Sequence, residues 1–303
     1  MLNKKPIMLV LGCSWTDTNF LSTLKHLPDD RRGGWPMWDS YVQNKLEERD
    51  GIRYERINLA LCGKSNQHIQ RDFFRAVSMY GDRIKYVFVG GTKFNRYMGP
   101  HDNASINIDT HNFFTNRKGA WAKIESWNER APGMRDYWQW HIENELFTAQ
   151  GIKANVERNT GYMASILHTC EGMGISLFWA QLLKPMTDYN LYKELIALGI
   201  TPKSDWNPSS NSWKARYTSN VLQAFLESPH FNVLEKHRRQ FSGLPFVGPD
   251  AKIFENMKQD QKHLFIDRTA KDPNERDGHP NAYGQECIGN YIWEQYCENM
   301  DKV

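Results

Sequence analysis

The sequence predicts an α/β fold with a mainly parallel five-stranded sheet, and three observations carry that expectation. Short apolar runs of strand length end in glycine, as in residues 6–12 and in Tyr86-Val87-Phe88-Val89 before Gly90-Gly91. Stretches with apolar residues at helical spacing lie between those runs. The resulting order of strand, helix, strand, helix, strand fits right-handed crossovers between parallel neighbours.

Each element follows from its residues. Residues 6–12 read as a buried strand, apolar throughout as a strand covered on both faces should be. A polar passage with Pro28, Asp29, Asp30, Gly33 and Gly34 is loop by composition. Trp38, Tyr41, Val42 and Leu46 then predict a helix over about 37–49. A second strand is expected from Arg53 to Leu59, leading to Cys62-Gly63-Lys64-Ser65-Asn66. Ser65 or Asn66 would cap a second helix with Ile69, Phe73, Val77 and Tyr80 on its apolar face. The third strand follows at Tyr86–Val89.

The rhythm then stops. Residues 94–160 are polar and irregular, hold Trp121, Trp127, Tyr137, Trp138 and Trp140, and offer a helix only at Asp136–Leu146. So long a stretch reads as an insertion. A helix at Gly161–Glu171 and a fourth strand at Ile175–Ala180 resume the pattern. Helices are expected at Leu191–Leu198 and Thr218–Leu226, a loop from Phe241 to Asp250, and a fifth strand at His263–Asp267. Pro280 suits the first turn of a last helix lined by Ile288, Tyr291, Ile292 and Gln295. The expected organisation is one domain over residues 1–303, with residues 94–160 and 184–260 as elaborated insertions.

Composition narrows the function classes. A net charge of +3, from 38 basic and 35 acidic side chains, supplies no field for nucleic acid. The runs Arg31-Arg32 and His237-Arg238-Arg239 are too short to alter that. The five cysteines are odd in number and widely spread, so neither a disulfide framework nor a zinc ribbon is indicated. With no export signal and no apolar run of spanning length, a cytoplasmic protein is expected. The 11 Trp, 13 Tyr and 15 Phe suit a large core, and also sugar stacking or a subunit interface.

Chemistry gathers at the expected strand ends. Ser14 stands just past Gly12, and Asp277 and His279 lie almost at the other end of the chain. Taken alone, Ser14 reads equally as a helix cap or a nucleophile. In a parallel sheet the carboxyl ends of the strands share one edge, so these residues can converge. Acyl transfer needs a hydroxyl, an imidazole to take its proton, a carboxylate to orient the imidazole, and donors for an oxyanion. Ser14, His279 and Asp277 supply the first three. The Ser14 and Gly63 N–H groups are natural donors, because glycine lets the backbone approach a ligand closely. Cys13 reads as a small buried hydrophobe rather than a thiol nucleophile. His101, Asp102, Asp109 and His111 fit no metal-ligand template. Gly90-Gly91 lacks the spacing of a phosphate loop.

In this order the motifs resemble those of the SGNH (GDSL-like) hydrolases, a family of serine esterases and lipases. Gly12-Cys13-Ser14 stands where the family has Gly-Asp-Ser. Asn58-Leu59-Ala60-Leu61-Cys62-Gly63-Lys64-Ser65 matches its oxyanion-glycine motif. Asp277-Gly278-His279-Pro280 is similar to its late Asp-x-x-His. Cys13 replaces the motif aspartate, Asp277 precedes His279 by two residues instead of three, and Gly-x-Asn-Asp is absent after the third strand. The resemblance implies a three-layer α/β/α flavodoxin-like fold, catalysis by Ser14, His279 and Asp277, and an oxyanion hole from Ser14, Gly63 and Asn95, with Thr92 as the alternative to Asn95. It implies no metal or organic cofactor, and a small-molecule or glycan ester as substrate, an acetylated glycan among them. A second expectation stands beside it: a catalytically weak or inactive scaffold that binds a partner, or copies of itself, in a larger assembly such as a viral particle.

Overall fold

The computed structural model of the protein describes residues 4–94, 96, 149–183, 224, 227–242, 262–267 and 277–300. Its centre is a five-stranded sheet in the order β2-β1-β3-β4-β5, with every pair parallel. The strands are β1 (Ile7–Leu11), β2 (Glu55–Asn58), β3 (Ile84–Gly91), β4 (Ser176–Gln181) and β5 (Phe241–Ser242). The helices are α1 (Trp38–Asp50), α2 (Asn66–Tyr80), α3 (Ala149–Met173), α4 (Phe231–Lys236) and α5 (Ala282–Met300). A separate antiparallel pair joins β6 (Phe265–Asp267) to β7 (Asp277–Pro280).

Three layers follow from the strands' period of two. Ile7, Leu9, Leu11, Val87, Val89, Leu177 and Trp179 face one side and pack against Ile69 and Phe73 of α2 and Met163, Ile166 and Leu167 of α3. Met8, Val10, Phe88 and Phe178 face the other, against Trp38, Val42 and Leu46 of α1 and Ile288, Ile292 and Tyr296 of α5. Both faces are covered, which is why β1 is apolar at every position. α2 starts as its sequence suggests. Ser65 is the cap: its hydroxyl accepts from the His68 N–H while the His68 side chain accepts from the Ser65 N–H. The order places β1 between β2 and β3, so the crossovers leave β1 in opposite directions. The crevice that this opens beyond its carboxyl end is where open α/β sheets bind ligands.

Several expectations are corrected. The fifth strand of the parallel sheet is Phe241–Ser242, within the stretch read as a loop, and it pairs with Trp179 and Ala180 of β4. A two-residue strand has no periodicity to read; fully buried Phe241 holds it in place. The segment expected as that strand instead contributes a turn at Lys262–Leu264 and then β6, which pairs with β7. Pro280 closes β7 rather than opening α5, whose first turn is capped by the Asn281 side chain accepting from the Gly284 N–H at 2.9 Å. α3 reaches back to Ala149, well before Gly161, and α4 carries no signal that composition or spacing revealed. The helices expected at 136–146 and 191–198, nearly all of that at 218–226, the tryptophan-rich stretch, and His101, Asp102, Asp109 and His111 lie outside the described residues.

Candidate active site

The site begins where β1 ends. The Thr16 N–H donates to the Cys13 carbonyl at 2.9 Å, closing a tight turn with Ser14 on it. The next helix is far along the chain, so Ser14 caps none. Cys13 is fully buried in the core, as a small hydrophobe would be. Thr16 lies across the ends of β1 and β3. A Cβ added at Gly12 or at Gly90 would stand 2.4 Å from its Oγ1. The Trp38 Nε1–H donates to that same oxygen at 3.2 Å, so moving the Thr16 hydroxyl away would break that bond. Gly90→Ala, which also brings its methyl to 2.9 Å from Leu182, is therefore expected to cost about 1–3 kcal/mol of stability, read as a lower denaturation midpoint with an unchanged slope.

The loop after β2 is tied to this turn. Asp17 Oδ2 accepts from the Cys62 N–H at 2.8 Å, and Asn58 Nδ2 donates to the Thr16 carbonyl at 2.9 Å and to Asp39 at 2.9 Å. Gly63 follows with φ +87°, a left-handed conformation that glycine takes without the strain a Cβ would add. Among the described residues, neither the Ser14 N–H nor the Gly63 N–H donates to a protein acceptor. Asp39 is fully buried, and burial raises its carboxyl above the usual range despite nearby Arg56 and Asn58.

Asp277 and His279 arrive on β7. The pairing of β7 with β6 shifts register between Asp277 and Pro280, and the two side chains meet directly. His279 Nε2 lies 2.8 Å from Ser14 Oγ, and His279 Nδ1 lies 2.6 Å from Asp277 Oδ1. The same carboxylate oxygen accepts from the His279 backbone N–H at 2.9 Å. Burial pushes the Asp277 carboxyl up, but hydrogen bonds and charge from His279, with a further bond from Ser22, outweigh it and hold the group below the ordinary carboxylate range. Phe20 lies against the imidazole, with ring centroids 4.1 Å apart and the planes tilted by 31°. Gln285 of α5 braces the turn, donating to the Trp15 carbonyl at 3.3 Å and accepting from the Trp38 N–H at 3.1 Å.

The structure thus brings Ser14, His279 and Asp277 into one hydrogen-bonded series. Thr92, just past β3, is fully buried. Its N–H and carbonyl are bonded to Asn66, Gln181 also donates to the carbonyl, and its hydroxyl has no partner among the described residues. Asn95 lies outside the described residues. Asp17, Phe20, Ser22 and Gln285 escaped sequence reading, since each is an ordinary residue whose place depends on a distant partner. No group of side chains suited to a metal occurs among the described residues, and none of their helices is long and apolar enough to cross a membrane.

Chemically, the series can pass a proton from a serine hydroxyl to an imidazole backed by a carboxylate. No protein-family model and no curated protein matches the chain. Among solved structures, it is similar to a lipase from a goat rumen metagenome, at 10% identity over 96% of this chain and 97% of that one, with a TM-score of 0.45. It is also similar to an acetylxylan esterase from Geobacillus stearothermophilus, at 10% identity over 99% and 96%, TM-score 0.42. A third is a psychrotrophic esterase from a Pseudoalteromonas species, at 10% identity over 98% of each chain, TM-score 0.36.

Proposed function

We propose that the protein is a serine ester hydrolase of the SGNH type. One observation carries the reading: Ser14 Oγ, His279 and Asp277 form a continuous series, with contacts of 2.8 and 2.6 Å, at the carboxyl edge of a parallel sheet. In the first step Ser14 Oγ attacks the ester carbonyl carbon while its proton moves to His279 Nε2. Asp277 accepts the Nδ1–H, fixes the tautomer and stabilises the imidazolium. The oxyanion is taken by the Ser14 and Gly63 N–H groups, with the Asn95 amide as the third donor by its position in the sequence. Collapse breaks the ester C–O bond, and the leaving oxygen takes the proton from His279. Water, giving its proton to the same Nε2, then releases the acid and restores Ser14.

The substrate class is a small acyl ester, with an acetylated glycan as the form that the aromatic-rich sequence of residues 94–160 and the family resemblance favour. A fluorophosphonate probe should label the folded protein covalently, and peptide mapping should place the adduct on Ser14. A folded protein that stays unlabelled, or is labelled elsewhere, would replace this reading with that of a non-catalytic binding scaffold.

A further inference from the structure

The segment between β1 and α1 reaches across the chain to the carboxylate. Ser22 is almost fully buried, and its hydroxyl donates to Asp277 Oδ2 at 2.5 Å. The Leu24 N–H donates back to Ser22 Oγ at 3.3 Å, so the hydroxyl's one proton is left for the carboxylate. The backbone of Ser22 is clamped as well. Its N–H donates to the Arg32 carbonyl at 2.8 Å, and its carbonyl accepts from Arg32 Nε at 3.0 Å. Leu21 forms a bridge to Gly33 beside it. Below, Leu24 and Leu27 pack with Ile266 of β6 in a small apolar cluster joined by Phe20 and Trp35. The segment is thereby fastened to the strand pair that carries Asp277 and His279.

We propose that Ser22 is a positioning residue that holds the Asp277 carboxylate in the plane its partner imidazole requires, an inference that rests on the serine-hydrolase reading of Ser14. Oδ1 takes both the backbone N–H and the Nδ1–H of His279, which leaves Oδ2 as the buried oxygen still in need of a donor. An unpaired carboxylate oxygen in that place would be costly and free to rotate toward other donors. Ser22 satisfies it through Oδ2, the oxygen that His279 does not use. The hydroxyl's partners are Asp277 Oδ2 and the Leu24 N–H, not Ser14, so it acts through Asp277. The arrangement also gives the loop after Ser14 a purpose: the nucleophile and the brace of its carboxylate are supplied by the same stretch of chain.

The test compares wild type, Ser22→Ala, Ser22→Thr, Asp277→Asn and the double variant Ser22→Ala/Asp277→Asn on p-nitrophenyl acetate. Ser22→Ala should lose about ten- to a hundredfold in kcat with KM little changed, as expected for one hydrogen bond to a charged group. Ser22→Thr, which keeps the hydroxyl, should recover most of that loss. In the Asp277→Asn background Ser22→Ala should cost nothing further, since its effect passes through the carboxylate. Should the alanine variant fail to fold, Ser22→Cys, similar in size but a poor donor, should show the same loss. A kcat within twofold of wild type in Ser22→Ala or Ser22→Cys, or losses that multiply in the double variant, would overturn the proposal. Equal rates from wild type and Ser14→Ala would instead overturn the hydrolase reading. In that event a carbon NMR titration of Asp277 still tests the bond itself: its pKa should rise in Ser22→Ala and return in Ser22→Thr, and an unmoved titration refutes the bond.

Discussion

Ser14→Ala is expected to lower kcat for p-nitrophenyl acetate by about four to six orders of magnitude. The variant removes the hydroxyl that lies 2.8 Å from His279 Nε2, the group the proposed mechanism deprotonates. What survives is the backbone: the Ser14 and Gly63 N–H groups stay where the turn and the left-handed glycine put them, and such donors with binding alone sustain about 10³-fold acceleration over water. Folding should hardly notice. Ser14 is small, the turn is closed by the Thr16 N–H and the Cys13 carbonyl, and neither group belongs to the removed side chain. The expected result is therefore a protein with wild-type unfolding and a nearly silent progress curve. A variant as fast as wild type would show that Ser14 is not the nucleophile and favour the binding scaffold.

Most of the frame could be read from the chain because both faces of the sheet are covered. Ile7 to Leu11 had to be apolar throughout, and Val87 and Val89 had to alternate with Tyr86 and Phe88 between two buried layers. Those strands fixed the edge at which Ser14, Gly63 and Thr92 fall. What stayed hidden depends on contacts rather than pattern. Phe241 is a strand residue only because Trp179 lies beside it. Gly12 and Gly90 read as corner glycines, whereas their tightest demand is room for the Thr16 hydroxyl. Ser22 meets Asp277 across 255 positions, and no local signal foretells that.

The spacing of Asp277 and His279 is the instructive case. Against the family's Asp-x-x-His it is short by one residue, which reads as a defect as long as the motif is pictured on a turn. On β7 the two-residue spacing still lets the carboxylate reach the imidazole, with Asp277 Oδ1 2.6 Å from His279 Nδ1. The strand has a register shift against β6 between its ends, and the Asp277 carboxylate closes on both the backbone N–H and the Nδ1 of His279. The missing residue is thus offset by a change of backbone conformation.

If the proposed mechanism holds, Asp277→Asn is accordingly expected to lower kcat by about 10⁴, the effect of losing the orienting carboxylate in a Ser-His-Asp hydrolase. An amide at this position can turn its NH₂ toward His279 Nδ1. The proton then moves to Nε2, the nitrogen 2.8 Å from Ser14, and the imidazole can no longer accept from the hydroxyl. Stability follows a separate rule. The folded protein holds the Asp277 carboxyl below its ordinary range, so the unfolded chain binds the proton more readily. That stabilisation is complete above the unfolded pKa of about 3.9 and is lost as pH falls through the lower folded value. The asparagine variant has no such group to titrate. Its acid unfolding, followed by circular dichroism, should fall less steeply below about pH 4 than that of wild type, while its kcat stays low across the whole range. A variant that kept wild-type kcat while losing the steep acid limb would show a carboxylate that braces the fold and has no part in orienting His279.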